Sequence, residues 1–255
     1  MRRLFFGLAV ALCAAGLAAA DDKAEAIVKK GIEAHGGADA LNKYKAGRFK
    51  MKGEMSLLGM DLEFTGDLAY ALPDRYRMEM SSEIMGMKLV IHQVVKGETI
   101  KSTVKIGDMT APSGGDLEKE ELKLAAAMQE AEQLTPLLDS KKFAIKAADD
   151  EDVDGKKAAV VVVTPKAIDK EVKLYFDKKS GLIVKTVHKG IGPGDGGAPV
   201  EVLEETYHSD YKKVHGVQVP TKLVVNHDGK KFLTIHLSDY ELLEKIDDKE
   251  FTTDD

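Results

Sequence analysis

From Gly47 to Leu57 every second residue is apolar or small (Gly47, Phe49, Met51, Gly53, Met55, Leu57), and Arg48, Lys50, Lys52, Glu54 and Ser56 fill the gaps. A period of two predicts a strand with one buried face. After Leu58-Gly59 the alternation resumes through Met60, Leu62, Phe64, Gly66, Leu68, Tyr70 and Leu72, then Tyr76, Met78 and Met80, and it continues over 87–95 and 99–106. Met85-Gly86, Lys96-Gly97 and Gly107-Asp108 supply the turns, so five antiparallel strands are predicted in the first half. The second half predicts strands near 141–147, 157–164, 170–177, 182–189, 200–209, 216–226 and 230–243, with turns at Asp154-Gly155, Lys179-Ser180-Gly181, His215-Gly216 and Asp228-Gly229. About a dozen strands with one apolar face each must close on themselves or be covered.

Two stretches carry the helical period instead. Ala24, Ile27, Val28, Gly31 and Ala34 predict a helix that starts after Asp22 and stops at Gly36-Gly37. Behind Asp116, the acids Glu118, Glu120 and Glu121 favour a helix start, and Leu117, Leu124, Met128 and Ala131 form its apolar stripe. Thr135-Pro136 then opens a short helix through Leu137 and Leu138. The fold class expected is mainly β, one large antiparallel sheet of about 11–12 strands with an N-terminal helix and a mid-chain helical lid.

Residues 1–20 break these patterns. Two arginines precede an apolar run, and Ala18 and Ala20 occupy the small positions of a peptidase site ahead of Asp21 and Asp22, which predicts a secretion signal cleaved after Ala20. The run is shorter than the ~20 residues of a membrane span. Leu12 before Cys13 argues against a lipoprotein signal, and no polar residue precedes Arg2-Arg3 as twin-arginine export would need. Residues 21–255 are then a single domain without cysteine, so neither disulfides nor thiol chemistry is available. Losing Arg2 and Arg3 takes the net charge from −6 to −8 and leaves Arg48, Arg75 and Arg77 as the only arginines, which argues against a nucleic-acid partner.

Candidate chemistry is sparse. Gly192-Pro193-Gly194-Asp195-Gly196-Gly197 has a dinucleotide-binding spacing, but a strand follows where a helix must, so the Gly190–Pro199 segment reads as a hairpin loop. Asp150, Asp152, Asp154 and Gly155 open like a calcium loop, yet Val161 stands at the bidentate twelfth position. The seven histidines (His35, His92, His188, His208, His215, His227, His236) are scattered without zinc-type spacing and read as ordinary strand and surface residues. No metal, cofactor or catalytic residue is assigned, and an enzyme is not expected. The methionines differ. All nine beyond Met1 lie between Met51 and Met128. Their thioethers suit an adaptable binding face and equally the filling of a large core.

The segments AIVKKGIEAHGG, ALNKYKAGRFKMKGEM, LYFDKKSGLIVK, YKKVHGVQVPTKLVV and LSDYELLEKIDDKEF resemble LolA/LolB-like outer-membrane lipoprotein-sorting proteins of the bacterial envelope, over Asp22 to about Phe251. The resemblance implies a strongly curved antiparallel half-barrel whose concave apolar face, closed by helices, shields the acyl chains of a lipoprotein crossing the periplasm. It makes the cavity candidates Phe49, Met51, Met55, Met60, Leu62, Phe64, Met78, Met80, Leu89 and Ile91, and the lid candidates Leu117, Leu124, Met128, Leu137 and Leu138. An arginine on the sheet keeps the lid shut in that family, so Arg48, Arg75 and Arg77 are the candidates here, with Arg75 or Arg77 expected against 117–139. A monomeric periplasmic carrier is implied, loaded with an acylated lipoprotein or lipid by donor and acceptor proteins of the envelope. The same half-barrel occurs in envelope-stress regulators that act by protein contact, the alternative function. A chain of fourteen buried methylenes contributes roughly 11 kcal/mol at ~0.8 kcal/mol each before ordering costs.

Overall fold

The computed structural model describes residues 12–57, 59–97, 99–113, 116–168, 170–193 and 199–252. The chain opens with α1 (Leu12–His35) and α2 (Ala38–Lys43), then runs through β1 (Ala46–Leu57), β2 (Met60–Ala71), β3 (Arg75–Ile84), β4 (Met87–Lys96), β5 (Thr99–Ile106) and β6 (Met109–Ser113). Helix α3 (Asp116–Glu132) and a 3-10 turn (Thr135–Leu138) lead to β7 (Phe143–Ala147), β8 (Glu151–Val153), β9 (Lys156–Pro165), β10 (Val172–Asp177), β11 (Ile183–Pro193) and β12 (Pro199–Ser209). The short strands β13 (Lys212–Val214) and β14 (Val217–Val219) precede β15 (Lys222–His227), β16 (Lys230–Leu243) and a last 3-10 turn (Asp248–Phe251).

Fourteen strands form one open, curved antiparallel sheet in the order β6-β5-β4-β3-β2-β1-β16-β15-β12-β11-β10-β9-β7, with β8 also on β9. The first six strands meander outward to one edge. The chain then crosses by α3 to the opposite edge at β7 and meanders back, until β16 pairs with β1. Helix α3 therefore connects the two free edges, and a helical lid over the concave face follows from the topology itself. Among the described residues no helix is long and apolar enough to cross a membrane.

The mainly β architecture agrees with the sequence, with differences in detail. Strand β6 contains Pro112, which an edge strand accommodates because no further strand needs its missing N–H. The single strand expected over 216–226 divides at Pro220 into β14 and β15, because proline has no N–H to donate to a continuous ladder. Helix α1 starts at Leu12 rather than after Asp22, its alanine- and leucine-rich first part being strongly helix-forming. The expected cleavage site after Ala20 thus falls within that helix, and residues 194–198 of the glycine loop lie outside the described residues.

Helix α1 buries Ala24, Val28 and Ile32, spaced four apart, in a cluster with Val161, Val163, Leu174 and Phe176 of β9 and β10 and with Leu124, Ala131 and Leu134 around α3. Gly31 permits that approach, because a Cβ there would lie 2.6 Å from the Phe176 ring. A second cluster joins Met51, Met55, Phe64, Leu68 and Tyr70 to Leu237, with Leu223, Phe232, Leu233 and Ile235 packed on it. These residues share one face of the sheet, since Met51 opposes Leu237 and Met55 opposes Leu233 across β1 and β16. On the other side, Ala46, Ala69, Ala71 and Val94 pack under Phe251 of the last 3-10 turn.

Candidate ligand cavity

A cavity of about 490 Å³ lies between the concave sheet face and α3, within the range of small-molecule sites. Helix α3 contributes Glu121, Leu122, Ala125, Met128, Gln129 and Glu132 to its wall. That spacing is one helical face. The adjacent stripe, Leu124 and Ala131, packs into the α1 cluster, so α3 is anchored on one side and faces the cavity on the other. The sheet contributes Phe49, Leu68, Tyr70, Tyr76 and Gln93 from the first half, and Ile183, His188, Glu204, His208, Leu223, Leu237, Tyr240 and Leu242 from the second.

Register explains this wall. Phe49 pairs with Leu68, Leu68 with Met78, and Met78 with Gln93. The same parity puts all ten cavity candidates on the concave face, since Met51 opposes Gly66, Gly66 opposes Met80 and Met80 opposes Ile91, while Met55 opposes Leu62 and Leu57 opposes Met60. Phe64 opposes Ser82, which opposes Leu89. Of the ten, Phe49 lines the cavity. Met51, Met55 and Phe64 are buried in the adjoining cluster with Met78 and Met80 packed on it, Leu62 and Leu89 are buried, and Met60 and Ile91 are half-buried. The methionine face is thus continuous with the cavity and packed against β15 and β16. Among the lid candidates, Met128 lines the cavity, Leu124 and Leu137 belong to the α1 cluster, and Leu138 is exposed; the side chain of Leu117 lies outside the described residues.

The arginines correct an expectation. Arg48 opposes Ala69, Ala69 opposes Arg77, and Ala71 opposes Arg75, which puts all three on the convex face, away from α3. Arg48 donates to Glu241 at 2.6 Å, Arg77 lies 3.3 Å from Asp67, and Arg75 pairs with Asp248 of the last 3-10 turn. Neither Arg75 nor Arg77 reaches the 117–139 segment through these pairs, because each lies an odd number of residues from the inward-facing Met78 on β3 and so points to the opposite face.

The polar half of the cavity was not legible in the sequence. Across β11, β12 and β15, His188 opposes Glu204 and Glu204 opposes His227, forming one inward row. His227 Nε2 lies 3.2 Å and His188 Nε2 3.9 Å from the Glu204 carboxyl. His208 lies next along β12, with Nε2 4.0 Å from Glu132 of α3 and 3.4 Å from the Thr186 hydroxyl. Burial lowers the His208 pKa to about 4 and raises that of Glu132 to about 7. His35, at the end of α1, has Nδ1 2.8 Å from the Gly31 carbonyl, and burial lowers its pKa too, as it does for His188. The neutral His35 ring therefore donates from Nδ1 and presents Nε2 as acceptor to the Ile183 N–H at 3.5 Å. Burial also raises the Tyr70 phenol to about 12 and Tyr76, Tyr211 and Tyr240 upward. A β-bulge at Arg48/Lys50 opposite β16, where Asp239 takes a φ of 52°, aims Tyr240 inward onto Phe49, with ring centroids 5.1 Å apart. Tyr240 Oη donates to the Pro220 carbonyl at 2.6 Å. No group of three or more metal-ligating side chains fit for an ion occurs among the described residues.

A helix-covered, open antiparallel half-barrel with an internal cavity is the architecture of LolA-like proteins, and this chain has that fold. Solved structures sharing it include a LolA superfamily protein from Nitrosomonas europaea, with a TM-score of 0.55 and 12% identity over 91% of this chain and 98% of that one. A DUF1329 family protein from Desulfovibrio piger aligns with a TM-score of 0.54 and 13% identity over 90% and 97% of the two chains. A candidate outer membrane lipoprotein-sorting protein domain from Vibrio parahaemolyticus gives 0.53 and 12% over 91% and 97%. No family model and no curated protein matches the sequence.

Proposed function

We propose that the protein is a carrier of the bacterial periplasm that shields the acyl chain of a lipid or lipoprotein on its way towards the outer membrane. The observation that carries this reading is the cavity under α3, apolar at Phe49, Leu68, Leu237 and Leu242 and continuous with the methionine-rich face of β1 to β4. Thioethers repack at low cost, so Met51, Met55, Met78 and Met80 can give way to a chain that extends the cavity along this face. Met85 and Met109 stand 84% and 68% exposed at neighbouring hairpin tips, an adaptable apolar rim at one end of the sheet that suits contact with a membrane or an acceptor. The secretion signal expected from residues 1–20 supports the compartment, and the similarity in fold to a lipoprotein-sorting domain supports the cargo class.

Residues 21–255 purified from a native envelope fraction and analysed by native mass spectrometry test this. Co-purifying phospholipid or acylated peptide, lost in Met78→Glu or Met80→Glu, is the expected result. A protein that is empty and takes up no fluorescent fatty acid refutes carriage and leaves signalling by protein contact, the other role implied for this half-barrel.

A further inference from the structure

The carboxyl-bearing residues outnumber the cations at the polar end of the cavity. Glu121 and Glu132 of α3 and Glu204 of β12 line it, and among the described residues no lysine or arginine does. At the Glu121 end the wall is also under-satisfied. His188, with 8% of its side chain exposed, has no hydrogen-bond partner at Nδ1 among the described residues, and its Nε2 stands 3.9 Å from Glu204. Glu121 Oε1 likewise makes no hydrogen bond there, and Lys170 lies 3.7 Å away. Gly190 borders the space between them, and a Cβ at that position would make ordinary contacts of 3.4 Å with Glu121 Oε2 and His188 Nε2. Two carboxyl groups from facing elements and the buried His188 ring, its Nε2 toward them and its Nδ1 without a hydrogen-bond partner among the described residues, thus border one small space in the cavity wall.

Unpaired buried polar groups are costly, and a ligand that pairs them recovers that cost. An anionic end would face Glu121, Glu132 and Glu204, against which Lys170, 3.7 Å from Glu121, supplies one cation from outside the lining residues, and this excess of carboxyl groups is the repulsive element that specificity requires. We infer that the ligand is an amphiphile with an amine at its polar end, the ammonium group held by Glu121, Glu204 and His188 and the alkyl chain running toward Phe49 and Leu68. This rests on the carrier reading and narrows its cargo to amine-bearing lipids.

The test is displacement of a neutral fluorescent long-chain alcohol from residues 21–255 at pH 7, below micellar concentrations, by dodecylamine, dodecanol or dodecanoate. Dodecylamine is expected to displace the probe at a concentration at least about tenfold lower than dodecanoate, equivalent to about 1.4 kcal/mol. Glu121→Gln with Glu204→Gln is expected to reduce that ratio to below about threefold, and added salt to narrow it in the wild type. Equal displacement by amine and carboxylate in the wild type overturns the inference while probe binding upholds carriage. Failure of the wild type to bind the neutral probe at all overturns both.

Discussion

Glu132 and His208 face each other under the lid with opposite titrations, and removing either one exposes the other. Glu132, ordinarily at 4.5, is raised to about 7, and His208, ordinarily at 6.5, is lowered to about 4, both by burial. The neutral carboxyl favours folding, so the contribution of Glu132 is complete below pH 4.5 and is lost as the pH rises through 7. The neutral imidazole also favours folding, so the contribution of His208 is complete above pH 6.5 and is lost as the pH falls through 4. Between pH 4.5 and 6.5 the folded pair holds one proton, on Glu132, and the unfolded pair also holds one, on His208. The two slopes therefore oppose each other in the wild type. At about 1.4 kcal/mol per unit, His208 contributes ~3 kcal/mol. The Glu132 side chain is 39% exposed where it lines the cavity, and water screening reduces its share to ~1 to 2 kcal/mol. Thr186 and His35 also face His208, and Tyr211 and Tyr240 face Glu132, without titrating oppositely in this window. Urea unfolding at constant ionic strength from pH 4 to 8 measures this for wild type, Glu132→Gln and His208→Gln. The wild-type advantage over Glu132→Gln is expected to shrink as the pH rises from 4.5 to 7, and that over His208→Gln to shrink as it falls from 6.5 to 4. Two flat difference curves, or two sloping the same way, refute the reasoning.

Three further substitutions probe the frame of the site. Gly31→Ala places a methyl 2.6 Å from the Phe176 ring and is expected to cost about 1–3 kcal/mol in urea unfolding by overpacking α1 on β10; an unchanged midpoint contradicts that packing. Tyr240→Phe removes the 2.6 Å bond to the Pro220 carbonyl, with an expected loss of about 1–2 kcal/mol by the same measurement. Arg75→Ala breaks the pair with Asp248 on the convex face, so its effect on stability is expected to stay below about 1 kcal/mol and fatty-acid exchange, followed by fluorescence, to remain at the wild-type rate. A change in exchange would restore this arginine as a lid latch.

What the sequence determined was everything that depends on neighbours along the chain. The alternation of Gly47 to Leu57 and its successors set which residues of β1 to β4 share a face, because successive side chains on a strand point to opposite sides. The stripe of Ala24, Val28 and Gly31 set the buried face of α1, and Thr135-Pro136 set the short turn after α3. The cavity was a different matter. His188, Glu204 and His227 lie 16 to 39 residues apart and on strands whose spacing carries no ligand signature, yet the β11-β12-β15 register makes them one row. His208 meets Glu132 only because α3 crosses from one sheet edge to the other, and Tyr240 points inward only because of a bulge in β16. The arginines show the converse, since alternation already assigned them to the polar face of their strands and only the curvature of the sheet decided which face the lid covers. Period and turn chemistry are local, whereas register between distant strands is fixed by the closure of β16 on β1 and by the desolvation of the cavity it encloses.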